Sequence, residues 1–221
     1  MFKSVVHSQQ GQRSPNNEDA SLALTSAGIF AVADGVGGGP AGDQASKLAL
    51  QTIDSYLSTG KVTQNKITSA IIAANSSVIE LAKNTRLQGM ASTLSLAWIE
   101  ANKVLCFNVG DSRIYHWNQQ GLKQLTNDHV TEIEKQGRLK TYVTKAIGIA
   151  ENPGTEITLA DWNEGDMLLL MSDGISDKLP KQDLEEICKH NNYSMVDKAN
   201  TMIELATLNG STDDKTIIIV F

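Results

Sequence analysis

Three aspartates follow short apolar runs: Asp34 after Ile29–Ala33, Asp111 after Cys106–Gly110 and Asp173 after Leu168–Ser172. A further acidic pair, Asp213-Asp214, stands just ahead of the apolar run Thr216–Phe221. Carboxylates drawn into one place repel one another unless they are protonated or bridged by cations. Sites built from oxygen ligands suit magnesium, calcium or manganese rather than zinc or copper. Two such ions side by side can clamp a phosphate and lower the pKa of a water between them, supplying hydroxide near neutral pH. Gly35 and Gly174 follow two of these aspartates and let backbone carbonyls approach an ion closely. A single strand-terminal Asp-Gly is more often a turn. Three strand ends with an acidic pair at the complementary end favour a metal centre.

The apolar runs that must position these carboxylates have strand length: Ile29–Ala33, Leu94–Ile99, Val104–Val109, Met167–Met171 and Thr216–Phe221. Helical stripes lie between them. Ala45, Leu48, Ala49, Thr52, Ile53 and Tyr56 recur on one face, as do Ile67, Ala70, Ile71, Ala74, Val78 and Leu81. Leu184, Ile187 and Cys188 form a later stripe, and Val196, Ala199, Ile203 and Ala206 another, closed by Asn209-Gly210. Two helices in succession, then several strands joined by short turns, then two helices and a strand is not a βαβ alternation. The order predicts an α+β fold with largely antiparallel sheets and helices packed outside. In antiparallel sheets the end of one strand adjoins the start of its neighbour, so all four acidic positions can share one rim.

Composition fits this picture. A chain of 221 residues, 41% hydrophobic and 20% charged with 4 prolines, can bury a substantial core, which excludes disordered and fibrous classes. A net charge of −6 argues against a general nucleic-acid binder. No apolar run approaches the roughly 20 residues of a membrane span, and the opening residues turn polar too soon for a signal peptide. Cys106 and Cys188 lie far apart and match neither a zinc site nor a disulfide framework. The expectation is a cytoplasmic monomer of one domain spanning residues 1–221.

Taken together, the segments resemble the protein phosphatase 2C family, the metal-dependent Ser/Thr phosphatases, in a bacterial form. The matching blocks, in order, are Arg13 with Asn17-Glu18-Asp19-Ala20; Ala33-Asp34-Gly35-Val36-Gly37-Gly38; and Gly89-Met90-Ala91-Ser92-Thr93-Leu94. Val109-Gly110-Asp111-Ser112-Arg113, Ser172-Asp173-Gly174-Ile175-Ser176-Asp177 and Asp213-Asp214-Lys215-Thr216 complete the set. Leu125–His129 and Ala146–Gly148 match more weakly.

The resemblance implies a four-layer sandwich, two central antiparallel β-sheets flanked by α-helices on both sides. It also implies Mn2+ or Mg2+, two ions and a third. Asp34 would bridge two ions, Asp173 and Asp213 would hold one of them, the Gly35 carbonyl would bind the other, and Glu18 would contact its water shell. Asp111 and Asp177, with Asp173, match the positions for the third ion, and Arg13 would grip the substrate phosphate. The implied reaction is in-line attack of activated water on phosphoserine or phosphothreonine in a protein, opposing a Ser/Thr kinase. A non-catalytic phosphoprotein binder of the same fold and a two-metal hydrolase of small phosphorylated molecules are the alternatives.

The chain departs from the family pattern in four places. Val36 stands where many members carry a histidine after the Asp-Gly pair. Asp213-Asp214 replaces the usual Asp-Asn, so that Asp214 could substitute for Asp213. Arg13 is one residue further from Glu18 than in many members, and the flap-like stretch at about 127–148 is short.

Other residues carry blander expectations. Thr126 or Asn127 would cap a helix beginning near Val130, with His129 on its first turn. His7, His116 and His190 show no metal-ligand spacing. Asp19 is expected to bond the local backbone or a water near the ions, Arg113 to pair with the acidic rim, and Lys215 to be a solvated charge. Gly37, Gly39 and Gly42 spell G-x-G-x-x-G, but a second helix follows where a dinucleotide site needs a strand.

Overall fold

The computed structural model describes residues 2–36, 41–135 and 137–221. Gly37, Gly38 and Gly39, which belong to the matched block and to the glycine spacing, lie outside the described residues. The chain opens with β1 (Ser4–Gln9), β2 (Asp19–Leu24) and β3 (Ile29–Asp34), then the helices α1 (Gly42–Leu57) and α2 (Gln64–Thr85). Two hairpins follow: β4 (Leu94–Glu100) with β5 (Lys103–Val109), then β6 (Arg113–Asn118) with β7 (Gly121–Gln124). Next come β8 (Val130–Lys135), β9 (Arg138–Val143), β10 (Glu156–Asp161) and β11 (Met167–Met171). Helices α3 (Asp173–Ser176), α4 (Lys181–Lys189) and α5 (Met195–Leu208) precede β12 (Lys215–Val220).

Two five-stranded sheets result, one in the order β1-β12-β11-β6-β7 and the other β10-β5-β4-β3-β2. Every pairing in both is antiparallel. They stack with an apolar layer between them, built from Phe30, Val32, Ala97, Ile114, Leu168, Leu170, Ile218 and Val220. Alternate residues of the same strands face the helices. Ile29, Ala31 and Ala33 join Leu94 and Leu96 against α1 and α2, while Leu169, Met171, Ile217 and Ile219 pack against α4 and α5. This is the expected four-layer sandwich. Strands covered on both faces read as unbroken apolar runs, which is why β3, β11 and β12 stand out in the sequence. Each large apolar side chain fully buried here contributes about 1.5–3 kcal/mol relative to exposure.

Both helix pairs form where their stripes predict, but Tyr56 and Val196 stand 45% and 51% exposed, and Met202 joins the buried face of α5. Thr63 caps α2 by accepting from the Lys66 N–H at 3.2 Å, and Ser194 with Asp197 forms a capping box on α5.

Two expectations are overturned. Residues from Val130 do not form a helix. They make β8, paired with β9 in a separate two-stranded sheet through a tight turn at Gly137, whose φ is 73°. Thr131 and Ile133 alternate with Glu132 and Glu134, a period of two that the Glu- and Lys-rich composition masks. Lys215 is not a solvated charge. It opens β12, the strand enclosed by β1 and β11, is only 3% exposed, and its Nζ donates to the Asp213 carbonyl at 2.8 Å.

Candidate metal centre

The carboxylates converge because the strands carrying them run in matching directions. In one sheet β3 and β5 flank β4 antiparallel to both, so Asp34 and Asp111 leave the same end. In the other, the C-terminal end of β11 adjoins the start of β12, bringing Asp173 beside Asp213. The start of β2, with Glu18 just before it, pairs against the end of β3.

A cavity of about 570 Å³ opens at this rim, lined by the eight residues that the resemblance assigns to the site: Arg13, Glu18, Asp34, Gly35, Asp111, Asp173, Asp177 and Asp213. Ser14, Val36, Thr93 and residues 141–143 of β9 complete the wall. The carboxylates ring this space without closing a cage. Among the described residues, no three His, Cys, Asp or Glu side chains stand as a preformed metal-holding cluster.

The backbone at each position is pinned. Asp34 donates its N–H to Thr93 Oγ1 at 3.0 Å, and its carbonyl accepts from the Thr93 N–H at 2.7 Å and the Ser92 hydroxyl at 3.0 Å. Thr93 in turn bonds the Ser112 hydroxyl at 2.7 Å, tying the Asp34 strand to the Asp111 turn. The Ser92-Thr93 block therefore positions the site although Ser92 does not line the cavity. Glycine is required here by close backbone approach. A Cβ on Gly174 would lie 1.9 Å from the Asp214 carbonyl oxygen, and one on Gly35 would lie 2.5 Å from the Gly42 backbone.

Electrostatics separates the acids into kinds. Burial, and then the charges of Asp19, Asp173, Asp213 and Asp111, push the Asp34 carboxyl well above the ordinary range. Asp173 is raised to about 7 by burial and then by Asp111, Asp213 and Asp177, and its Oδ1 is buried with no hydrogen-bond partner. Asp111 rises to about 6, chiefly through burial. Asp19, 6% exposed, is raised to about 7 by burial. Its Oδ2 accepts from the Ser172 hydroxyl at 2.8 Å and its Oδ1 is unpartnered. Unpaired carboxylates held in low dielectric are what a divalent cation relieves, and the donor set is all oxygen. The residues present fit magnesium or manganese.

Asp213 and Asp214 have different surroundings. Asp214 is 5% exposed, and its two oxygens accept from the Gly11 and Glu18 N–H groups, each at 2.7 Å. It is spent on holding the Gly11–Glu18 segment. Asp213 faces the cavity and carries an ion pair with Arg13, whose side chain is 63% exposed. Asp177, also assigned to the rim, is 52% exposed and bonded to Arg113 at 2.8 Å.

Two residues of the weakly matched Leu125–His129 block have a role in the site's frame that sequence patterning misses. Asp128 accepts from Arg113 through both oxygens: Nε donates to Oδ1 at 3.1 Å and to Oδ2 at 2.9 Å, and Nη2 donates to Oδ2 at 2.6 Å. His129 is buried. Its Nδ1 accepts from the Gly110 N–H at 3.1 Å, and its Nε2 faces Glu156 at 3.2 Å. Their signal is the Asp128-His129 pair itself, legible once the segment is read as the entry to a strand. No histidine lines the described part of the cavity, and Val36 stands where a proton donor would be sought.

Known proteins resemble this chain in sequence and fold. The family model described as Protein phosphatase 2C matches residues 7–208. The serine/threonine phosphatase stp of Listeria monocytogenes serovar 1/2a is 30% identical over 211 residues, covering 87% of this chain and 83% of that one. The crystal structure of the Mycobacterium tuberculosis serine/threonine phosphatase PstP/Ppp superposes with a TM-score of 0.85 at 26% identity, covering 99% of this chain and 97% of that one. The catalytic domain of PstP in complex with 2 manganese ions gives 0.84 at 27% identity, with the same coverage. With the family model spanning residues 7–208, nearly the whole chain, the chain belongs to the protein phosphatase 2C family.

Proposed function

We propose that this chain hydrolyses phosphoserine and phosphothreonine in proteins, with Mn2+ or Mg2+ as cofactor. One observation carries the reading: eight residues spread from position 13 to position 213 line a single polar cavity. Asp34, Asp173, Asp213 and the Gly35 carbonyl would hold two ions, and Glu18 would orient water beside them. Asp111 and Asp177, with Asp173, would hold a third. When bound, the ions supply a hydroxide nucleophile near neutral pH and screen the charge of the phosphate.

The chain's own residues do the rest. Arg13, long and largely exposed at the cavity mouth, can leave Asp213 and take a phosphate through two N–H groups. Ser14 donates to Glu18 Oε2 at 2.8 Å and fixes that carboxylate toward the cavity. Val36 stands in place of a histidine on the described wall, so protonation of the leaving serine or threonine oxygen would fall to water.

Residues 1–221 are read as one catalytic domain, with residues 127–148 as a short flap-like segment beside the cavity. Two free, buried cysteines suit a reducing compartment, so we place the chain in the cytoplasm, acting as a monomer against a Ser/Thr kinase. No helix of the described residues is long and apolar enough to cross a membrane.

The test is phosphate release from phosphoserine and phosphothreonine peptides with manganese, stopped by a chelator and restored by metal. Silence across a broad peptide panel would favour a non-catalytic binder. Preference for nucleotides or diesters would favour a small-molecule hydrolase.

A further inference from the structure

The hairpin of β8 and β9 has an unused edge beside the cavity. Among the described residues β9 pairs with β8 alone. In an antiparallel ladder, hydrogen-bonded pairs alternate with non-bonded ones. The phase is set by the Thr144 N–H, which donates to the His129 carbonyl at 2.7 Å. The register then makes Tyr142–Thr131 and Lys140–Ile133 the bonded pairs. Thr141 and Val143 therefore turn their N–H and C=O groups away from β8, about 7 Å apart along the strand. These same residues line the carboxylate cavity.

Charge points the same way. Residues 130–145 hold Lys135, Arg138, Lys140 and Lys145 against Glu132 and Glu134, a surplus of two positive charges (4 − 2) in a chain of net charge −6. Such a strand attracts a phosphorylated segment to the mouth of an otherwise acidic site. An unpaired strand edge accepts an extended peptide through main-chain bonds, with little demand on side-chain identity.

We propose that the outer edge of β9 is the docking strand for the substrate: the segment flanking the phosphoserine or phosphothreonine adds as a third strand on Thr141 and Val143. This rests on the phosphatase reading and specifies its substrate as an extended, accessible segment. Neighbouring prolines would be disfavoured, because they lack the N–H the edge needs.

Two measurements test it, each referred to p-nitrophenyl phosphate, which has no peptide backbone. The first is a scan of single N-methyl groups along a phosphopeptide, on the unaltered enzyme. Losses of kcat/KM of roughly 5- to 10-fold should recur at every second amide on at least one side of the phosphoresidue. The second is Thr141→Pro, which removes an outward N–H while leaving the bonds to β8. It should lower the ratio of phosphopeptide to p-nitrophenyl phosphate kcat/KM about 10-fold. A scan without alternation, together with an unchanged ratio, overturns the docking strand while leaving the phosphatase in place. Loss of metal-dependent turnover with both substrates in the unaltered enzyme would remove the phosphatase reading and this proposal with it.

Discussion

Asp128 and Asp177 sit around Arg113, which bonds both and also the Ser176 carbonyl at 2.8 Å. Asp34, Asp111 and Asp173 lie on the same rim, and burial raises the pKa of all three. Where the chain brings its own cation, acids serve the architecture. Where it leaves carboxylates buried and unpaired, compensation has to come from a proton or a bound cation. Asp177 stands between the two regimes, since it lines the cavity while bonded to Arg113. An ion held there would compete with a guanidinium.

The contrast breaks most sharply at the unpaired acids. Asp34→Asn and Asp173→Asn should each lower kcat on phosphopeptide by ~10³-fold or more, the scale of several kcal/mol of lost charge stabilisation. Thermal stability without metal should hold or rise, because each change removes a repelling charge. Near-wild-type turnover in both variants would end the metal-centre assignment.

At the paired acids the signs reverse. Arg113→Met strands Asp128, 20% exposed at its side chain, and should cost about 2–3 kcal/mol in denaturant unfolding, less than a fully buried pair would.

A third experiment sharpens the contrast through protons. In chelator, Asp19 and Asp173 have folded pKa values of about 7 and Asp111 of about 6, against an ordinary 3.8. The folded chain then binds more protons than the unfolded one between pH 5 and 7. Stability must fall as pH rises through that window, by about 1.4 kcal/mol per unit for each proton the folded chain holds in excess. Added manganese should flatten or reverse the slope, which thermal melts at stepped pH would show.

How far the sequence discloses this depends on burial. β3, β11 and β12 are covered on both faces, so unbroken apolar runs with aspartates at their ends mark them plainly in the sequence. β8 has one half-buried residue followed by five exposed ones, and β10 alternates half-buried with exposed positions, so neither leaves an apolar run to read. Lys215 misleads for the opposite reason: a charge within a strand looks exposed until the Asp213 carbonyl is found capping it. The difference in surroundings between Asp213 and Asp214 is also closed to the sequence. It comes from two N–H groups about 200 residues earlier in the chain, at Gly11 and Glu18, which hold Asp214.

The place of β12 between β1 and β11 bears on biosynthesis. On the ribosome the N-terminal strand of this sheet emerges early and finds no neighbour until residue 220 has been made. The sheet therefore closes only after translation has passed that point, and β1 must wait unpaired behind more than 200 residues of growing chain. Such long-range closure folds slowly. A product stalled before β12 would lack both a finished sheet and the Asp213 corner of its cavity, so catalytic competence would itself report that synthesis had passed residue 220.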